Sequence, residues 1–312
     1  MQWHRRLYSA IVHNLSEYFG ADSPLKTYLP GFQVRVGQSW MAEAVAQAIE
    51  QSSQLIVEAG TGTGKTFAYL LPALVSGRKT IISTGTKALQ DQLYHRDLPL
   101  LGKAAGRPIK TSLLKGRANY LCLYRLDTVA EQVASPALYD DLNSVREWRH
   151  RTTSGDCAEL TEIAEGSSVW QLVTSTAENC LGSECPVYQK CHVVRARREA
   201  QEADLVVVNH HLLLADLAMK EEGFIEFLPG ADTIILDEAH QIPDLAAQFF
   251  GISLGSRELE RLLDELLGAI LPFKDAELQR RLEEAQQSLR VLLAELPREE
   301  GRHEIMAVIE RM

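Results

Sequence analysis

The segment Glu58-Ala-Gly-Thr-Gly-Thr-Gly-Lys65-Thr66 constrains this chain more than any other feature. It follows the apolar run Leu55-Ile56-Val57 and leads into a helix-compatible stretch, Phe67 to Leu74. A strand, a glycine-rich turn and a helix start in that order form the setting of a phosphate-binding loop. Gly60, Gly62 and Gly64 let the backbone curl so that its N–H groups face phosphate oxygens, with Thr61 and Thr63 between them. The helix N-terminus adds a partial positive charge. Lys65 is placed to reach the β- and γ-phosphates, and Thr66 to put its hydroxyl on Mg²⁺. Ala59 stands where the motif usually has its first glycine, a small residue of little consequence.

A second motif narrows the choice among nucleotide-binding machines. Thr233-Ile-Ile-Leu-Asp237-Glu238-Ala239-His240 reads as a buried parallel strand that delivers two adjacent carboxylates at its C-terminal end. Active sites of open α/β sheets lie at that end. Asp237 is expected to hold Mg²⁺ through its water shell, Glu238 to polarise the attacking water, and His240 to complete the catalytic group. Upstream, Arg35-Val-Gly-Gln38 precedes the loop by about one helix, and the Gln38 amide is able to donate to and accept from an adenine edge. Thr80-Ile-Ile-Ser-Thr84-Gly-Thr86, followed by Lys-Ala-Leu-Gln90-Asp-Gln92, reads as a further strand ending in hydroxyl and amide groups. Together these motifs resemble superfamily 2 helicases, in which the last segment touches the nucleic-acid backbone without reading sequence.

More than half of the chain lies between Lys65 and Asp237, so something is inserted. Four of five cysteines fall there in a pattern: Cys122, then Cys180, Cys185 and Cys191 spaced C-x4-C-x5-C. The N-terminus has no secretory pattern, and no apolar run is long enough to span a membrane. A reducing, cytoplasmic setting is expected, where clustered cysteines mean metal or redox chemistry rather than disulfides. Spacing alone leaves a [4Fe–4S] cluster, zinc or no metal open, since structural zinc sites favour tight Cys pairs and an iron–sulfur cluster takes four thiolates. Cys157 has no place in the pattern and reads as a free thiol.

The motif Lys115-Gly-Arg117-Ala-Asn119-Tyr120-Leu-Cys122, the cysteine trio and Val206-Val-Val-Asn209-His210-His211-Leu resemble the iron–sulfur insertion of XPD-like helicases. The nearest likeness is to the bacterial DinG/YoaA type, on its YoaA side, over roughly residues 25–250. The resemblance implies an ATP-dependent DNA helicase of 5′ to 3′ polarity in DNA repair or replication. Its cofactors are ATP, Mg²⁺ and a [4Fe–4S] cluster on Cys122, Cys180, Cys185 and Cys191. Single-stranded or forked DNA and replication or repair proteins are the implied partners, and the cluster region serves as a rigid wedge and strand guide. His210 and His211 are metal ligands by type, but four thiolates complete a site, so a structural or coupling role at a strand end is the better reading.

The net charge of −10 argues against nucleic acid as a whole, but its distribution does not. Lys103, Arg107, Lys110, Lys115, Arg117 and Arg125 occur with no acidic residue among them. Lys190, Arg195, Arg197 and Arg198 follow the trio. Tyr120, Tyr124 and Tyr188 are interleaved, as suits single-stranded DNA.

The expected fold is α/β: a RecA-like, doubly wound parallel sheet with an inserted iron–sulfur domain and the start of a helical arch domain. The expected divisions are a lead segment (1–30), the helicase domain in two parts (31–110 and 204–251), the insertion (111–203) and the arch (252–312). Strands are expected at Leu55–Glu58, Thr80–Ser83, Leu205–Val208 and Ile234–Asp237. Beyond Gly251, Leu259, Leu262, Leu263, Leu266 and Leu267, then Leu282, Leu289 and Leu293, predict two helices parted near Pro272. No GR-x-x-R pattern follows the acidic motif, so the chain reads as the N-terminal portion of a helicase lacking the second RecA-like domain. An arginine finger supplied there is worth ~10³ to 10⁵ in turnover. The chain alone is expected to bind ATP and DNA but to hydrolyse slowly and not to unwind. The alternatives are a non-hydrolysing fragment that binds ATP and single-stranded DNA, or a redox sensor.

Overall fold

The computed structural model describes residues 15, 17–20, 22–29, 31–33, 35–60, 62–106, 108–129, 136–221, 227–251, 256–270 and 276–295. Thr61, Arg107, Pro272 and much of the lead segment lie outside the described residues. The chain divides into two compact units, residues 1–249 and 250–312. No helix among the described residues is long and apolar enough to cross a membrane.

The first unit is built on four parallel strands: β1 (Thr80–Thr84), β2 (Thr111–Leu113), β3 (Leu205–Asn209) and β4 (Thr233–Leu236). Their spatial order is β2-β3-β1-β4. Thr80 pairs with Leu205 on one side and Thr233 on the other, so β1 and β3 are interior strands. Both carry apolar residues on both faces, which a parallel sheet covered on both sides requires.

Helices α1 (Val36–Gln51), α2 (Lys65–Ser76), α3 (Lys87–Gln92) and α4 (Leu98–Ala105) follow one another early in the chain. Ala42, Ala46 and Ile49 of α1 and Leu70, Leu71 and Leu74 of α2 bury themselves with Ile82, Leu205 and Val207 on one face of the sheet. On the other face, Ile81, Val206 and Val208 pack against Ala196, Ala200 and Leu213. The first two of those belong to α8 (His192–Glu202) and Leu213 to α9 (His210–Glu221). This α/β arrangement with a parallel sheet is consistent with the RecA-like fold expected from the sequence.

Between β2 and β3 the chain makes α5 (Leu123–Thr128), α6 (Pro136–Trp148) and α7 (Val169–Val173) before α8. That segment has an apolar core of its own, with Leu121, Leu126, Leu142, Val145, Trp148, Leu160, Ile163, Val169 and Val173 buried together. After β4 comes α10 (Ile242–Phe250). The second unit contains α11 (Ser256–Ile270) and α12 (Ala276–Glu295), which pack together. Gln286 Nε2 donates to Asp264 Oδ1 across them at 2.6 Å. Exposed pairs such as Arg281–Glu277 line the surface of α12. The side chain of Leu293 lies outside the described residues.

Three segments differ from expectation. Leu55–Glu58 is not a strand: it has no ladder partner, and Ile56 is 97% exposed. An apolar run becomes a strand only where neighbouring backbone takes its hydrogen bonds, and none of the four strands pairs with this one. β4 has a partner on one side only, and its Ile234 and Leu236 are exposed. Conversely, Thr111–Leu113 was placed at the start of the insertion, yet it joins the sheet beside β3.

Candidate functional site

The glycine-rich loop ends where α2 begins. Gly62 and Gly64 hold φ of +74° and +84°, a region that disfavours a side chain. A Cβ on Gly64 would also lie 2.3 Å from Gln38 Nε2. That close approach is the reason for glycine: Gln38 Nε2 donates to the Gly64 carbonyl at 3.0 Å, and Arg35 donates to the Gly62 carbonyl. Gln38, expected to read adenine, and Arg35, expected among the nucleotide-binding residues, thus brace the loop from the N-terminal turn of α1. Thr63 Oγ1 closes the turn on the Gly60 carbonyl at 2.9 Å.

Opposite the loop stands the end of β4. Lys65 Nζ lies 3.4 Å from Glu238 Oε1, although the residues are 173 positions apart. The Asp237 N–H donates to the Ser83 carbonyl at 2.8 Å, which fixes the strand end against β1. Glu238 then turns with φ +55°, and its N–H donates to Asp237 Oδ1 at 3.1 Å. His240 Nδ1 stands 3.4 Å from Glu238 Oε2 and is open to solvent. Ala59 and Gly60 sit at the mouth of the loop, the former half-buried.

Tyr69 is a site residue that the motifs did not supply. Its hydroxyl donates to Asp237 Oδ2 at 3.0 Å and also interacts with the Thr66 hydroxyl. Burial, then the Asp237 charge, raise its pKa well above the usual phenol value, so it stays a donor. The available signal was helical spacing: residues three and four apart share a helix face, which puts Tyr69 beside Thr66 and Lys65.

The hydroxyl-rich end of β1 is ordered by its own contacts. Thr86 Oγ1 caps α3 by accepting from the Leu89 N–H at 3.2 Å, and Thr84 Oγ1 donates to the Thr86 carbonyl. Gln90, expected among the backbone-contacting amides, is instead fully buried and donates to the carbonyls of Leu114 and Val207.

The basic patches are partly structural. Lys115 is buried, with Nζ 2.8 Å from Asp91 Oδ1 and 2.7 Å from Asp156 Oδ2. Arg125 donates to the Leu172 and Gln171 carbonyls at the end of α7, and Arg197 lies over the Phe227 ring. Tyr120 is core, its hydroxyl accepting the Lys115 N–H at 3.1 Å. Lys190 and Arg198 are exposed.

All five cysteines are free and half-buried. Cys122 precedes α5; burial raises its pKa, while backbone N–H groups of Arg125 and Tyr124 oppose the rise. It also feels Cys191 and Cys185, and Arg197 feels Cys180 and Cys191, so the four patterned thiols share one neighbourhood. Four thiols are the right donor type for an iron–sulfur cluster or zinc. Among the described residues, however, no three ligand-type side chains are close enough to hold a metal ion. Cys157 stands apart beside Asp156, its pKa pushed up to about 12 by burial and then by that carboxylate.

The DEAD/DEAH box helicase family matches residues 40–153. The chain is 53% identical over 256 residues to the ATP-dependent DNA helicase YoaA of Haemophilus influenzae, a match covering 81% of this chain and 40% of that protein. It is 50% identical over 288 residues to YoaA of Escherichia coli, covering 90% of this chain and 45% of the relative. To the ATP-dependent DNA helicase DinG of Escherichia coli it is 34% identical over 244 residues, covering 71% and 34%. The chain therefore spans less than half the length of each of these relatives. It carries a DEAD/DEAH box helicase domain and is similar to the N-terminal part of the YoaA and DinG helicases.

Proposed function

We propose that this DEAD/DEAH box helicase domain binds Mg²⁺–ATP between the glycine-rich loop and the Asp237–Glu238 turn, and that it serves an ATP-dependent DNA helicase. The observation that carries this reading is the meeting of Lys65 with Glu238 at 3.4 Å and of Tyr69 with Asp237 at 3.0 Å. A loop lysine and two strand-end carboxylates then border one site.

In this reading, backbone N–H groups from Gly60 through Gly64 and the start of α2 cradle the phosphates. Lys65 turns from Glu238 to the β- and γ-phosphates. Thr66 and Asp237 hold Mg²⁺, which neutralises charge on the phosphate oxygens when bound. Tyr69 orients the Asp237 carboxylate. Glu238, released from Lys65, orients water for attack, and His240 stands beside it. Arg35 and Gln38 keep the loop in shape, and Gln38 is assigned the adenine edge.

The helicase activity, DNA repair setting and 5′ to 3′ polarity come to this chain by likeness to longer proteins. The segment between β2 and β3 is assigned as an iron–sulfur insertion, in which Cys122, Cys180, Cys185 and Cys191 would hold a [4Fe–4S] cluster, and residues 252–312 as the start of an arch domain. Single-stranded or forked DNA is the proposed substrate, replication or repair proteins the proposed partners, and the cytoplasm the proposed setting.

Equilibrium titration with a fluorescent ATP analogue and Mg²⁺ tests the cradle. Lys65→Ala should weaken binding at least about tenfold, roughly 1.4 kcal/mol. Unchanged binding would remove Lys65 from the site. The cluster assignment predicts a brown protein absorbing broadly at about 400 nm, with thiolate ligation as its basis. A colourless protein with stoichiometric zinc would refute it.

A further inference from the structure

His210 belongs to neither the loop nor the acidic turn, yet it lies between the acidic turn and β1. It opens α9 directly after β3, and its side chain is fully buried. Nδ1 is 2.7 Å from the hydroxyl of Ser83, which is itself fully buried on β1. The imidazole faces the backbone of Asp237 and Glu238. Its Nε2 is buried as well, and the ring's approach to that backbone falls short of a well-formed hydrogen bond. Buried hydrogen bonds of imperfect geometry are costly, so the arrangement is sensitive to small movements of the turn it faces.

Two further contacts join the same two segments. The Ser83 carbonyl accepts the Asp237 N–H at 2.8 Å. The side chain of Gln241 fills the space over Gly85, where an added Cβ would lie 2.4 Å from its Oε1. The end of β1, from Ser83 to Thr86, is therefore tied at three points to the segment Asp237–Gln241. One segment runs into the exposed Thr86, within the stretch that by resemblance meets the DNA backbone, and the other carries the carboxylates proposed to meet Mg²⁺–ATP.

We propose that His210 is a positioning residue that couples the two ligands: through Ser83 and the Asp237–Glu238 backbone, it makes the shape of the nucleotide cradle depend on whether DNA occupies the end of β1. His210 touches neither ligand. The coupling is reciprocal, so nucleotide must alter DNA affinity by the same factor as DNA alters nucleotide affinity. This inference rests on the functional reading above, and its test separates the two.

The probes are a fluorescent ATP analogue with Mg²⁺ and an oligonucleotide of about twenty thymidines, a length beyond a typical single-strand site. The nucleotide Kd of the whole chain is measured with and without saturating oligonucleotide. In the wild type the ratio should be at least about fivefold. His210→Phe and Ser83→Ala should each bring it within about twofold of unity, with the DNA-free nucleotide Kd within about threefold of wild type. His210→Gln, which keeps a donor and an acceptor, should restore part of the ratio. Should His210→Phe fail to fold by circular dichroism, Ser83→Ala carries the test. A wild-type ratio of one, or a wild-type ratio kept in both variants, overturns the coupling while leaving nucleotide binding intact. A wild-type chain that binds no nucleotide overturns the functional reading itself, and the coupling falls with it.

Discussion

Lys65 and Lys115 each face carboxylates brought from far along the chain, and they do so in opposite ways. Lys65 reaches Glu238 at 3.4 Å with both side chains about a third exposed, 27% and 32%. Lys115 is 2% exposed and holds Asp91 and Asp156 at 2.8 and 2.7 Å. The first contact is long, wet and single, so an incoming phosphate can replace it at little cost. The second is dry and double, and removing the ammonium would leave two carboxylates without a counter-charge. One lysine stands open to the ligand proposed for it. The other ties α3 to the segment that carries the cysteines.

The sharpest way to break this contrast is Lys115→Met. It should lower unfolding stability by about 3 kcal/mol, at the lower end for buried pairs because Asp91 still meets water. Urea unfolding reads this directly, and a loss under about 0.5 kcal/mol would put Lys115 in the same class as surface pairs. Lys65→Ala supplies the second arm. Its stability should stay within about 0.5 kcal/mol of wild type, as an exposed pair allows, while nucleotide affinity collapses.

Alkali gives a subtler arm. Burial pulls the Lys115 pKa down, but the hydrogen bonds and charges of Asp156 and Asp91 overcome it and hold the pKa above 10.5. The folded value exceeds the unfolded one, so its stabilisation is complete below pH 10.5 and disappears as the pH climbs through the folded value. Subtracting the Lys115→Met pH–stability curve from that of the wild type should isolate this decline; parallel curves would contradict it. The smallest expected effect is that of Tyr69→Phe. Losing its hydrogen bond to Asp237 should cost about 1 kcal/mol, read as a several-fold higher Mg²⁺ requirement for nucleotide binding.

The same pair of lysines shows what was legible in the residues. Lys65 could be singled out from sequence because the glycine-rich loop that presents it is a local pattern, although Glu238 meets it only on folding. Lys115 read as part of a basic patch because Asp91 and Asp156 come from other segments, and only folding brings them to it. Strands divide likewise. Thr80–Thr84, Leu205–Asn209 and Thr233–Leu236 announce themselves by apolar runs, whereas Thr111–Leu113 is too short and too polar, and exists because β3 offers it a register. Leu55–Glu58 carries the apolar signal but has no ladder neighbour. Tyr69 was accessible in principle, since helical offset alone sets it beside Thr66.

The one-sided pairing of β4 also sets where this sheet comes apart. β3 is enclosed between β2 and β1, while β4 leans on β1 alone with alternate residues in solvent. Deuterium should therefore enter the amides of β4 well before those of β3, with Asp237, the carboxylate proposed to hold Mg²⁺, riding on the first strand to loosen. Bound nucleotide would slow that exchange most at this margin, making the acidic strand a local gauge of occupancy.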